Sequence, residues 1–266
     1  MPPDYELQSY WKTRFEGEQH FEWLGDGKDT VLPHVRAFLE SRASPGSSPA
    51  RLLHIGAGTS SLSERLRELY ISVYGNGVDE GVIVNADFVE ELVARKRAAE
   101  EARRVVGGPG EGMSWVRMDA LEWQELDGFV DTNGGLFDLV VEKSTSDAIS
   151  CGEDLSYSLP GPGLHPVFND YLKTHEGRTL TLSPVEVLAI HLASLVRPGG
   201  LWVALTFSTN RFPFLSAAEA VDGSSPRATD YWSLENVVTV DAPTGAQSNV
   251  HAPVVQHYVY LMRRKI

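Results

Sequence analysis

Cysteine is nearly missing from this chain. Its 266 residues hold one, Cys151, so no internal disulfide can form and the fold must rest on packing. The same scarcity predicts a reducing compartment and a cytoplasmic protein. Long apolar runs are missing too. No stretch approaches the ~20 consecutive apolar residues that a membrane span needs. The opening Met-Pro-Pro-Asp-Tyr-Glu lacks the basic start and apolar centre of a secretory leader, and no membrane partner is expected. Positive charge is also scarce: 23 Lys and Arg against 36 Asp and Glu leave a net charge of −13. Phosphate binding needs a basic footprint, so no nucleic-acid partner is expected either. The one dense basic run, Arg95-Lys96-Arg97 followed by Arg103-Arg104, alternates with Glu90, Glu91, Glu100 and Glu101. That spacing predicts a solvated, salt-bridged helix face. There is no Gly-x-Ser-x-Gly elbow, no Gly-Lys-Ser/Thr phosphate loop and no zinc-site spacing. A hydrolase, a P-loop nucleotidase and a metal centre are therefore not expected.

What is present is the alternation of short apolar runs with amphipathic stretches that marks a parallel sheet covered by helices. Strands are predicted at 51–55, 81–85, 113–118, 137–142 and 201–207. Helices are predicted at 61–70, at 88 to about 106 (stopped by Gly107-Gly108-Pro109) and at 184–196, the last ended by Pro198-Gly199-Gly200. Residues 254–262 alternate well enough for a terminal strand, paired as a hairpin with 237–240. The length suits a single domain over 1–266. Two regions fall outside the rhythm. Residues 1–45 form an expected N-terminal cap, helical and aromatic from Tyr10 to Phe38. Residues 150–183, rich in Gly, Pro, Ser and His without clear period, are expected to be a lid or substrate-binding insertion, since a loop that long is seldom incidental.

The most informative segment is Leu52-Leu-His-Ile-Gly56-Ala57-Gly58-Thr59-Ser60. A strand running into Gly-x-Gly and then a helix lets the backbone turn sharply and approach a ligand closely. About thirty residues on, Asp87 ends the second strand, where a carboxylate can accept both hydroxyls of a ribose. Asp119, followed by Ala120, ends the third strand, within reach of an exocyclic adenine amine. These positions lie at strand C-termini, where an open α/β sheet forms its crevice. Two variants of the fold fit. A dinucleotide-binding sheet would place a third glycine three residues after Gly58, where this chain has Ser61. The second carboxylate, the Arg-Pro-Gly-Gly turn and the antiparallel last strand fit the methyltransferase variant better.

At this point the chain resembles a known family. Tyr10-Trp11-Lys-Thr-Arg14-Phe15, then Phe21-Glu22-Trp23-Leu24 and Gly56-Ala-Gly-Thr-Ser60-Ser-Leu-Ser63, are similar to segments of the class I lysine methyltransferases of elongation factor 1-alpha and citrate synthase. So are Asn85-Ala-Asp87, Trp115-Val-Arg-Met-Asp119 and Phe137-Asp-Leu-Val-Val-Glu142-Lys-Ser-Thr-Ser-Asp147-Ala. The resemblance covers residues 10 to about 150. It implies a Rossmann-like, mostly parallel seven-stranded sheet with helices on both faces, and S-adenosylmethionine as cofactor. It implies that Trp11 and Arg14 fold over the methionine end, with Arg14 on its carboxylate. Gly56, Ala57, Gly58 and Ser60 would form the loop, Phe88 would lie against the adenine, and Glu142 would serve the cofactor's amino group. Where the family has Asp-Lys-Gly, this chain has Glu142-Lys143-Ser144.

Methyl transfer from a sulfonium is an in-line displacement that needs alignment and exclusion of water, not a protein nucleophile. A lysine acceptor must first lose a proton, and Glu142 and Asp147 are the candidate catalytic residues. Their bland alternatives are a ligand contact for Glu142 and a helix cap for Asp147. His165 and His175, grouped with Tyr157, Phe168 and Tyr171, could line an acceptor pocket in the insertion, whereas His191 reads as a helix-face residue. Three readings follow: a protein lysine methyltransferase, a methyltransferase of a small molecule held under the insertion, and a non-catalytic scaffold.

Overall fold

The expected strand at 137–142 runs apolar and β-branched, as a strand covered on both faces must, and such buried strands set the layout of the computed structural model. It describes residues 3–44, 46–105, 112–215, 225–242 and 255–266. In chain order these form α1 (Gln8–Gly17), α2 (Leu32–Arg42), β1 (Leu52–Ile55), α3 (Leu62–Tyr74), β2 (Ile83–Asp87), α4 (Glu90–Val105) and β3 (Ser114–Arg117). The short helices α5 (Trp123–Leu126) and α6 (Phe129–Thr132) lead to β4 (Phe137–Lys143) and α7 (Thr145–Ile149). Then come β5 (Leu155–Tyr157), α8 (Pro166–Thr174), β6 (Leu180–Leu182), α9 (Pro184–Leu195), β7 (Val196–Thr206), β8 (Trp232–Asp241) and β9 (Gln256–Arg264).

The seven-stranded sheet has the order β3-β2-β1-β4-β7-β9-β8. Its first five members are parallel, and β9 and β8 close it antiparallel. Every residue of β1, β2 and β4 is buried. Side chains alternate between two cores: Leu53, Ile55, Val140 and Trp202 face α9, while Leu52, Leu139, Val141 and Val203 face α2 and α3. Chain order reverses direction across the sheet between β1 and β4, which opens a crevice at their C-terminal ends. The charged face of α4 is salt-bridged as its spacing predicts, through Lys96–Glu64, Arg97–Glu90 and Arg103 with Glu80 and Glu100.

Several expectations are revised. The predicted helical run from Tyr10 to Phe38 is broken, because residues 18–31 form an irregular strap between α1 and α2. Gly81 and Val82 belong to a short 3-10 turn, held by the Asp79 carboxylate on the Gly81 amide at 2.9 Å. Strand β7 starts at Val196 rather than Leu201, since the Arg-Pro-Gly-Gly turn pairs onward with β4 across a bulge. The largest revision concerns the insertion. It is not irregular: β5 and β6 pair antiparallel, and α8 buries Phe168, Tyr171 and Leu172 in the main core. The Gly107-Gly108-Pro109 stop and Val254 lie outside the described residues. Among the described residues no helix is long and apolar enough to cross a membrane.

Candidate active site

The crevice at the C-terminal ends of β1, β2 and β4 is a cleft of about 580 Å³. Its base is the turn after β1. Gly56 and Gly58 both hold φ of +57°, a conformation that L side chains rarely adopt. A Cβ at Gly56 would also strike the Thr145 side chain, whose Oγ1 donates to the Ile55 carbonyl at 3.1 Å. Phe15 of α1 lies over the second glycine, 3.7 Å from where a Cβ would stand. Asp87, at the tip of β2, is buried and accepts the Gly58 amide and the Val89 amide, each at 3.0 Å. Burial pushes its carboxyl up to about 6 against the opposing pull of those amides. Asp119 accepts the Leu121 amide at 3.0 Å, and burial raises its pKa as well.

Trp11, Gly56, Ala57, Gly58, Ser60, Asp87, Phe88, Asp119, Ala120 and Asp147, all expected from the sequence, line this one cleft. Two expected residues do not. Arg14 is not on the cleft wall: it pairs with Glu18 one helical turn on, donates to the Tyr10 hydroxyl at 2.8 Å, and stacks 4.3 Å over Phe21. Glu142 is fully buried behind the cleft. Its carboxylate accepts the amides of Thr145 (2.9 Å) and Ser146 (3.3 Å) and the Ser146 hydroxyl (2.6 Å), so it holds the first turn of α7. Burial, with Asp147 adding to it against the Ser146 and Thr145 hydrogen bonds, raises its carboxyl to about 7. Asp147 reaches the cleft, yet its oxygens are engaged. They accept Ser144 Oγ (2.5 Å), the Thr206 hydroxyl, the Phe207 amide (3.3 Å) and a salt bridge from Arg211 at 2.8 Å. It lies within α7 and does not cap it. Ser144, standing where the family carries glycine, takes φ of +64°, a strain of about 1–2 kcal/mol.

The histidine pocket expected in the insertion is absent from this site. His165 and His191 pack together with Trp123 and Phe168 as core, His165 donating to or accepting from Ser194 Oγ at 2.8 Å and His191 bonding the Ala120 carbonyl at 3.0 Å. Burial holds them neutral, at about 3 and about 4. His175 bonds the Tyr171 carbonyl of its own helix. Only the first residues of the insertion, Cys151 to Leu155, reach the cleft. The physical reason is the amphipathic pattern of α8, whose apolar face is satisfied by the core and not by a ligand.

Three contributors escaped the sequence reading. Glu22 accepts the Ser61 amide (2.8 Å) and hydroxyl (2.5 Å), the Ser60 hydroxyl (2.7 Å) and the Lys143 ammonium (3.2 Å). Burial alone would raise its pKa, but those donors and the Lys143 charge hold it at about 2. Lys143 and Arg211 are the partners that tie the strap and the β7 end to the cleft wall. The signal for Glu22 and Lys143 is a charged residue within a recognised motif, which sequence alone leaves without a partner, whereas Arg211 adjoins no such motif. The position of Glu22 also decides between the two nucleotide-type readings. A pyrophosphate would need the exposed N-terminus of α3, and the chain's own carboxylate already occupies it.

No protein-family model matches the chain. It is 28% identical over 99% of its length to methyltransferase srdJ of Neurospora crassa, covering 85% of that protein. It is 24% identical over 86% of its length to EEF1A lysine methyltransferase 4 of Mus musculus, covering 72% of it. The chain is a methyltransferase. Among solved structures it is similar to the N-methyltransferase NodS of Bradyrhizobium japonicum in complex with S-adenosyl-L-homocysteine, at 14% identity and a TM-score of 0.45, covering 96% of this chain and 98% of that one. The cleft of this methyltransferase fits such a cofactor on its own terms. Glycines admit backbone close to a ligand, buried carboxylates can meet hydroxyl and amine donors, and aromatic walls can cover the apolar parts. Among the described residues no group of three or more His, Cys, Asp or Glu side chains could hold a metal ion.

Proposed function

We propose that this methyltransferase modifies a lysine side chain of a protein. The observation that carries the reading is the chemistry of the cleft mouth, where Glu6, Glu153 and Asp154 stand beside Tyr5, Trp11 and the half-exposed Phe207. An acidic rim attracts an ammonium group, and an aromatic interior strips it of water and favours the neutral amine that must attack. The likeness to an elongation-factor lysine methyltransferase supports the same reading. So does the burial of the insertion's aromatic side chains in the core, which removes the enclosing lid that a small-molecule acceptor would use.

In this scheme Asp87 receives the ribose hydroxyls and Asp119 the adenine amine, beside Phe88 and Ala120. Gly56, Ala57, Gly58 and Ser60 carry the methionine portion beneath Trp11. When bound, the cofactor supplies an electrophilic methyl group on sulfur. The protein aligns the acceptor and excludes water. Asp147 is a positioning residue that fixes Phe207 and Arg211 at the lip, and Glu142 sets the start of α7 beneath it. The test is transfer from isotopically labelled S-adenosylmethionine into a cell extract, split by a size filter, with hydrolysis of the labelled protein. Methyl-lysine in the protein fraction is expected. Label confined to small molecules would overturn the proposal.

A further inference from the structure

The N-terminal segment crosses the cleft from one side of the sheet to the other. At its first end α1 is pinned to α4: Phe15 packs on Val89 and Leu92, the Phe15 carbonyl accepts Arg95 at 3.1 Å, and Lys12 pairs with Glu91. At its second end Glu22 reaches the loop after β1 through Ser60 and Ser61, and the tip of β4 through Lys143, whose ammonium also donates to the Trp23 carbonyl at 2.6 Å. Between these anchors Tyr10, Trp11, Phe15, Phe21 and Trp23 stack on one another and around Arg14. Four of these rings, with Tyr5, form the wall opposite Gly56–Ser60 and Asp87.

The two anchors differ in kind. The α1 end rests on apolar packing and a surface ion pair. The Glu22 end rests on one carboxylate that satisfies two hydroxyls, the orphan amide at the N-terminus of α3, and a buried ammonium. Lys143 is 4% exposed in its side chain, so losing Glu22 would leave a desolvated ammonium hydrogen-bonded to the Trp23 carbonyl, with the Asp26 charge as its remaining electrostatic support.

We propose that Glu22 is the positioning residue that fastens the aromatic strap over the cofactor, and that release of its bonds to Ser60, Ser61 and Lys143 opens the cleft for cofactor exchange. The inference concerns the cofactor end and holds whichever acceptor is used.

The experiment is stopped-flow displacement of S-adenosylhomocysteine from the full-length protein, followed by tryptophan emission, with no acceptor present. Glu22→Ala should speed dissociation by about tenfold or more, the range for losing charged hydrogen bonds. Glu22→Gln, which keeps an acceptor but loses the charge, and Lys143→Met should each give a smaller acceleration. In the ligand-free protein Glu22→Ala should shift Trp11 and Trp23 emission to the red and expose residues 18–31 to protease. An unchanged dissociation rate with a lowered melting temperature would overturn the proposal and leave Glu22 as a helix cap only. If Glu22→Ala does not fold, the Glu22→Gln and Lys143→Met rates decide in the same way.

Discussion

The end of the cleft proposed to hold the cofactor is carried by strand tips and backbone amides, whereas the proposed acceptor rim is carried by side chains from separate loops. Asp87 is buried at the end of β2 and held by two amides. Glu6, Glu153 and Asp154 come from the N-terminal segment and the start of the insertion. Parallel strands whose residues are all buried cannot shift register without turning apolar side chains out of a core, so the first set of groups is fixed in space. The second set can vary without disturbing the sheet. A fold that keeps its donor chemistry and changes its acceptor would be expected to divide its site in this way.

Substitutions at the fixed end should therefore cost most. Gly56→Ala would force an L residue into φ of +57° and into the Thr145 side chain. It should lose about 2 kcal/mol or more of cofactor affinity by titration calorimetry. Near-native binding would show that the turn after β1 is adaptable. Next comes Asp87→Ala, expected to weaken cofactor binding by about 1–3 kcal/mol.

The same carboxylate supplies a pH signature. Its pKa stands at about 6, raised by burial, and only its ionised form offers two strong acceptors to a pair of ribose hydroxyls. Affinity should be full above pH 6 and fall as the pH drops below it, by up to about tenfold per unit. Asp87→Asn should bind weakly but without that slope, and a slope that persists would place the titrating group elsewhere.

At the variable end the effects should be smaller and sensitive to salt. The double change Glu153→Gln with Asp154→Asn is expected to raise KM for a protein acceptor by about threefold at low ionic strength, as screened surface charges allow. Cofactor affinity should not move. A fall in cofactor affinity would erase the distinction between the two ends. A separate effect is on stability. Glu142 has a folded-state pKa of about 7, raised from 4.5 by burial, so the folded protein favours its protonated form. That contribution is complete below pH 4.5 and is lost as the pH rises to 7. Glu142→Gln should flatten the decline of melting temperature across this window.

The departures from expectation share a cause. Glycines at 56 and 58, a carboxylate about thirty residues later and another after the third strand are local signals, because each position is tied to the end of a strand that its own apolar run defines. Arg14 and the aromatic residues around it were legible as a cluster. That Arg14 would be taken up by Glu18 and Phe21 was not, since an i,i+4 pair and a ring contact compete with any ligand for the same guanidinium. The insertion misled for a related reason. Aromatic and histidine side chains read alike whether they face a ligand or a core, and only the docking of α8 on the sheet settled which.

What the sequence determined by itself was the parallel sheet, its antiparallel closing hairpin, and the glycine turn and two carboxylates that line one cleft, because hydrophobic periodicity and glycine sterics act over a few residues. What only the tertiary structure decided was the partnership of Glu22 with Ser60, Ser61 and Lys143, the clamping of Asp147 by Arg211, and the withdrawal of Glu142 behind the cleft. Those are contacts between residues far apart in the chain, and a charge acquires its role only from what folding brings beside it.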